Sequence, residues 1–295
     1  MERCDDVTQQ DLNPKTYEPL LISVALTGAV PTKSQYPSLP TEPVEIADQA
    51  CRVAEHGASI VHIHMRDANG RATQNADRFA QTISLIRAEK PELIICATTT
   101  SRGSSAIEDR MAALHLDGPL LPDMASLTLG SYNTPHGVNI NPPEDIEAIA
   151  RLMTSLNVLP ELEIFEPGML ETARRLLHSG VLPSNVFCNF LLGVSGASPA
   201  STRALSNMVD LLPPDIPWAA AGIGQFQKTV TALSVVMGGH VRVGMEDDPR
   251  GDHEGWTNVD AVIRARRVAE SINRSIMTPH QARTLLKIDG RAGTG

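Results

Sequence analysis

The chain has 295 residues, 42% hydrophobic and 20% charged, with a formal net charge of −9. This ordinary globular balance excludes the basic footprint of a nucleic-acid binder and of a protein docked on anionic membrane. No stretch approaches the ~20 unbroken apolar residues of a membrane span. The acidic start MERCDDVTQQD is unlike a signal peptide, so a cytoplasmic location is expected. The four cysteines, Cys4, Cys51, Cys96 and Cys188, lack CxxC spacing and are expected to be reduced packing residues.

Residues 1–17 show no periodicity and are expected to form an N-terminal extension. From there, short runs rich in β-branched residues alternate with segments of helical period. PLLISVALTGA (19–29) is followed by PVEIADQACRVAEHG, where Ala47, Cys51 and Ala54 share a face, Thr41 offers a cap and Gly57 a stop. SIVHIHMRD (59–67) precedes DRFAQTISLIRAEK, with Phe79, Ile83 and Ile86 on one side. ELIICATTT (92–100) and MASLTLG (124–130) come next, then GVNIN (137–141) as a small extra strand. ELEIFEP (161–167) leads into a helix with Met169, Ala173 and Leu176 inward and Gly180 as its stop. NVFCNFLLG (185–193), PWAAAGIG (217–224) and HVRVGMED (240–247) complete eight runs, and the closing DGRAGTG carries no pattern. A strand about every 30 residues, eight times over, predicts an α/β fold: a (β/α)8 TIM barrel as a single domain over 18–290. A doubly wound open sheet shares the rhythm and stays open as an alternative, because strand order is not readable from one sequence.

A barrel gathers its active site at the C-terminal ends of its strands. Polar residues accumulate there: Thr27, His62 and His64 with Asp67, residues 98–101, Thr128, Glu163 and Glu166, Asn189, and Glu246 with Asp247. Alternate strand residues face one side, so His62 and His64 project together as the start of a metal site or as a pair of core histidines. In HVRVGMED, Arg242, Gly244 and Glu246 share one parity, which brings the Glu246 carboxylate to the mouth from the last strand. Two histidines and a glutamate with one open position form a catalytic zinc arrangement; manganese, iron or cobalt fit less well. An inward Arg242 needs a carboxylate such as Asp247 or Glu163, and Asp247 held by it is a candidate general base. A salt-bridge network closing the barrel is the structural alternative. In ELEIFEP, parity alone leaves open whether the set with Glu161 and Glu163 or the set with Glu166 turns inward. The hydroxyl-rich CATTTSRG (96–103) and GIG (222–224) suit anionic oxygens at strand-to-helix junctions.

With these residues in view, the sequence resembles the β-keto acid cleavage enzyme family, known for 3-keto-5-aminohexanoate cleavage. The resemblance rests on TGA (27–29), ASIVHIHMRD with its following NGR, INPP (140–143), PELEIFEPGM (160–169), AGIG (221–224) and GGHVRVGMED (238–247), in the family's order over 19–288. It implies an oligomeric zinc barrel, taken here as a homotetramer, with acetyl-CoA as co-substrate. It makes His62, His64 and Glu246 the metal ligands, and Asp247 with Arg242 the base acting at C2 of a β-keto acid. The enolate attacks the acetyl thioester, CoA moves to the former keto carbon, and a retro-Claisen break frees acetoacetate and a new acyl-CoA. Thr98, Ser101 and Ser126 then stand where the substrate's polar end binds, and Glu163 joins the pocket by location.

The chain departs from the aminohexanoate-cleaving members at Val30, where they carry a glutamate for the substrate's ammonium. An apolar side chain there argues against an amino-bearing substrate. The stretch 98–101 reads TTTS in place of S-T-G-G, and Thr128 replaces an asparagine. Two rivals share the same residues: a metal-assisted barrel lyase, aldolase or hydrolase that uses no CoA, and a metal-bound ligand sensor.

Overall fold

The expected runs form eight parallel strands in a computed structural model that describes residues 17–135 and 137–288. The expectations for residues 1–16 and for the closing DGRAGTG lie outside the described residues. The strands are β1 (Ile22–Ala25), β2 (Ile60–Ile63), β3 (Ile94–Ala97), β4 (Met124–Thr128), β5 (Leu159–Ile164), β6 (Phe187–Leu192), β7 (Trp218–Gly222) and β8 (His240–Val243). Each pairs with its neighbour in chain order, and β8 returns to β1 through Ile22 with Val241 and Ser23 with Arg242. The ring is closed, which decides for the TIM barrel over the open sheet.

The helices are α1 (Pro43–Glu55), α2 (Ala76–Glu89), the short α3 (Ile107–Arg110), α4 (Pro143–Ser155), α5 (Gly168–His178), α6 (Thr202–Leu211), α7 (Gln227–Met237), α8 (Asn258–Glu270) and α9 (Pro279–Leu286). On each strand one parity meets these helices; Val61 and Ile63 pack with Ile46 and Phe79, and Leu162 and Ile164 with Ile149 and Leu170. The cap of α1 differs from the expected Thr41. Pro43 opens the helix and keeps Glu42 extended (φ −90°, ψ 149°), so Glu42 is the cap, and Glu45 reaches back to accept from the Thr41 and Glu42 amides. The expected strand within GVNIN forms as Gly137–Asn139, but it pairs with Tyr132–Thr134 in a hairpin above the barrel and not with the barrel itself.

The inward parity divides the barrel in two. Its floor is apolar: Leu21, Ile60, Ile94, Met124, Leu159 and Phe187 meet Met277, Ala282 and Leu286, so α9 plugs the bottom. Arg283 of α9 donates twice to Asp123 Oδ1 at 3.1 Å, while Arg87 of α2 holds Asp123 Oδ2 at 3.2 Å, which fastens the plug. Above this floor the inward positions turn polar: Ser23, His62, Cys96, Ser126, Glu161, Asn189 and Arg242, all buried. Burying polar groups this deep is costly unless they hydrogen-bond or bind something.

His240 marks the boundary and packs at the floor, as its place at the start of β8 suggests. Its Nδ1 accepts the Leu21 amide at 3.1 Å, which requires an unprotonated ring nitrogen, and burial together with Arg274 pushes its pKa down to about 3. The unfolded chain binds this proton near pH 6.5 and the folded barrel does not, so stability is lost as pH falls from 6.5 towards 3. The linkage amounts to about 2 kcal/mol at pH 5. In urea unfolding at pH 7.5 and pH 5.0, His240→Gln is expected to lose less stability between the two pH values than the parent protein. An equal loss in both proteins would show that His240 carries none of the acid sensitivity.

Candidate active site

At the C-terminal end of β2, period-two geometry aims His62 and the following His64 into the barrel, with their Nε2 atoms 3.0 Å apart. Glu246 comes from the turn 245–247 after β8, across the closure of the ring. Its Oε1 stands 3.3 Å from His64 Nε2, and its Oε2 stands 3.9 Å from His62 Nε2. Two glycines permit this approach. Gly28 has φ +66°, and a Cβ there would lie 2.5 Å from Glu246 Cγ; Gly244 has φ +133°, and its Cβ would strike the Ala25 carbonyl at 2.2 Å.

These three side chains could hold a divalent ion. Nitrogens and oxygens bound at about 2.0–2.2 Å around one tetrahedral ion stand roughly 3.3 Å apart, close to the spacing here. Glu246 Oε2 is buried without a hydrogen-bond partner, the kind of orphan that a cation satisfies. Burial acts to raise the Glu246 pKa, but His64, Arg242 and His62 hold it well below the usual carboxylate range. Burial pushes His64 down, favouring the neutral ring a ligand requires.

Arg242 organises the other half of the site from β8. Its Nε and Nη2 donate to the two Asp247 oxygens at 3.0 and 3.1 Å. Nη2 also reaches Glu246 Oε1 at 2.9 Å, and Nη1 reaches Glu163 Oε1 at 3.3 Å. Both partners expected for this arginine are therefore present. Burial lifts the Asp247 pKa above its ordinary value, with the Glu246 charge adding to it against the pull of Arg242. A carboxylate with raised basicity beside the triad is equipped to take a proton from carbon.

A cleft of about 530 Å³ opens above these groups, lined by His64, Thr98, Glu163, Arg242, Glu246 and Asp247 at its base and by Val30 near its mouth. Val30 is 48% exposed. Glu163 also accepts the Thr128 hydroxyl at 2.7 Å. Thr98 faces the cleft, and its hydroxyl takes the Thr100 amide at 3.1 Å. Ser101 and Ser126 are not among the lining residues. Ser101 donates to Asn139 Oδ1 at 2.9 Å and ties its loop to the hairpin, whereas Ser126 sits in the wall against Thr99. Gly224 lines the cleft, but its amide donates to the Asp247 carbonyl at 2.7 Å and is occupied. Arg66 holds the Pro31 carbonyl at 2.8 Å, and Asp67 accepts the Asn69 and Arg71 amides, so this pair supports the loops at the mouth.

Sequence reasoning missed Glu161 because parity left the two faces of β5 undecided. Both Glu161 and Glu163 turn inward, and Glu166 is exposed. Glu161 Oε2 lies 3.5 Å from His62 Nδ1, Cys96 Sγ donates to it at 3.3 Å, and Asn189 Nδ2 donates to Oε1 at 3.3 Å. Burial pushes the Cys96 thiol well above its usual value, so it stays protonated and serves as a donor. Arg102, which also lines the cleft, was visible only as part of CATTTSRG.

The sequence profile of the beta-keto acid cleavage enzyme family matches residues 19–288. The chain belongs to this family. It is 34% identical to the 3-keto-5-aminohexanoate cleavage enzyme of Fusobacterium nucleatum subsp. nucleatum over 274 residues, which is 92% of this chain and 98% of that protein. It is 34% identical to the 3-oxoadipate:acetyl-CoA acetyltransferase of Cupriavidus necator over 285 residues, 93% of this chain and 99% of that protein. Among solved structures, apo ObcA superposes with a TM-score of 0.73 at 19% identity, over 85% of this chain and 66% of that one, a likeness of fold.

Glu161 Oε2 stands behind His62, 3.5 Å from Nδ1, the place from which a carboxylate orients an imidazole that binds a metal. Glu161→Gln is expected to weaken retention of a divalent ion about 10-fold or more, read as metal content after dialysis against graded chelator. Unchanged retention would show that Glu161 only fills the barrel.

Proposed function

We propose that the protein exchanges acyl groups between a β-keto acid and acetyl-CoA, releasing acetoacetate and a new acyl-CoA. The observation that carries this reading is the Arg242 fork, which holds Asp247 beside the triad of His62, His64 and Glu246 at the base of one cleft. The Cupriavidus necator relative, named for the transfer of acetyl from acetyl-CoA, supports the reaction class. Two imidazoles and a carboxylate suit zinc, held by His62, His64 and Glu246. When bound, such an ion supplies Lewis acidity that polarises a ketone oxygen and favours charge developing beside it.

Asp247 performs the proton chemistry. Its carboxylate takes a proton from C2 of the keto acid, and Arg242 keeps both oxygens oriented while the proton moves. The C2 carbanion forms a carbon–carbon bond with the acetyl carbonyl, and the CoA thiolate leaves. That thiolate then adds to the former keto carbon, and the bond between this carbon and C2 breaks. Asp247 returns its proton to C2, so atoms and charges balance. Thr98, the residue just past β3 and level with His64, offers a hydroxyl to the substrate carboxylate. Apolar Val30 and Phe165 on the cleft wall offer no polar group to hold water that would compete for the thioester. Ser101 and Ser126 act through the walls: one ties the loop to the hairpin and the other supports Thr99.

Acetoacetate release from a panel of β-keto acids tests the reading, with acetyl-CoA present and absent. Turnover is expected to require acetyl-CoA, and turnover without any CoA ester would replace it with a CoA-independent lyase. Asp247→Asn is expected to lower kcat about 10³-fold while metal content is retained. Undiminished turnover in that variant would remove Asp247 from the role of base.

A further inference from the structure

Two guanidinium groups line the cleft, and their surroundings differ. Arg242 is saturated by Glu163, Glu246 and Asp247, which are the three acids among the lining residues. Arg102, on the loop after β3, lines the same cleft, and no carboxylate among the described residues pairs with it. Its side chain interacts with the hydroxyl of Tyr132, a neutral group stacked on Phe165 at 3.8 Å. A divalent ion on the triad and Arg242 together balance the three acids, which leaves the charge of Arg102 uncompensated.

Position separates Arg102 from the reacting end. His62 pairs in register with Cys96, so Thr98, two residues on with the same inward parity, stands level with His64. The C1 carboxylate of a keto acid is one methylene from the ketone carbon and is therefore served at that level. Arg102 lies four residues beyond Thr98, out on the loop, where a group farther along the substrate arrives. Val30 at the mouth offers nothing to an ammonium group.

We propose that Arg102 forms a subsite for a second carboxylate, which makes the substrate class the 3-oxo dicarboxylic acids. A guanidinium binds carboxylate or phosphate as a planar fork, so the anion comes from the far end of the keto acid or from CoA, and the geometry favours the keto acid. The assignment rests on the acyl-exchange reading given above.

The test compares kcat/KM for 3-oxoadipate and 3-oxohexanoate, which differ only in a terminal carboxylate against a methyl, in the parent protein and in Arg102→Gln, with KM for acetyl-CoA measured in both. The parent is expected to prefer 3-oxoadipate by about 10²-fold, and Arg102→Gln to collapse that ratio about 30-fold, mainly through KM. Arg102→Lys should recover part of it. An equal fall for both keto acids would place Arg102 on the C1 carboxylate, and a rise confined to the acetyl-CoA KM would place it on a CoA phosphate; either result overturns the proposal, as does an unchanged ratio. If neither keto acid yields acetoacetate in the parent, the acyl-exchange reading itself fails. Calorimetric binding of unreactive adipate against hexanoate then decides the subsite alone: tighter adipate binding that is lost in Arg102→Gln supports it, and equal binding overturns it.

Discussion

A single buried arginine governs the upper half of this barrel. Arg242 enters from β8 with almost no exposure, and a charge so placed is costly unless every donor finds an acceptor. Its fork meets Asp247 with two bonds, while the remaining donors meet Glu246 and Glu163. The consequence is positional: Glu246 beside the two histidines, Asp247 next to it and Glu163 on the cleft wall all take their places from one guanidinium. Removing one partner of a buried pair costs about 3–5 kcal/mol, because the other charge stays behind. The arrangement therefore fixes the three carboxylates to one another far more tightly than three independent side chains could be fixed.

The closure of the ring supports this arrangement. Pairing between β1 and β8 sets Gly28 against Glu246 and Gly244 against the Ala25 backbone, and at both places the chain adopts a positive φ that disfavours side chains. The triad thus depends on a seam between the first and last strands, which the α9 plug fastens from below through Arg283 and Asp123. A floor built from apolar side chains and a roof built from charges share one set of strands. The apolar layer keeps water from beneath the site, which strengthens each charge interaction above it.

Much of this was legible in the residues themselves. Eight β-branched runs at regular spacing gave the strands, and the one-residue spacing of His62 and His64 gave their common face, because strand parity is fixed by backbone geometry. The same rule failed at β5, where both parities mix apolar with acidic residues; only the distance from Arg242 to Glu163 settles the face, and Glu161 follows from it. Thr41 was misread as a cap because proximity to a helix start says less than the constraint Pro43 places on Glu42. Ser101 and Ser126 were expected at the substrate's polar end because hydroxyls bind anions and backbone alike; their partners in the structure, Asn139 and Thr99, are set by packing between loops, which spacing does not reveal.

Loops carry the least sequence signal and the most specificity. The base of the cleft is drawn from strand ends, where register allows little freedom, whereas Val30 and Arg102 come from loops and Tyr132 from the hairpin above the barrel. Arg242 and Glu246 belong to the linked charges at the base, whereas Val30 and Arg102 line the cleft without joining that network. The charges at the base are fixed by strand ends and by Arg242, while the loops are free to place an apolar side chain, Val30, at one wall and a cation, Arg102, at another.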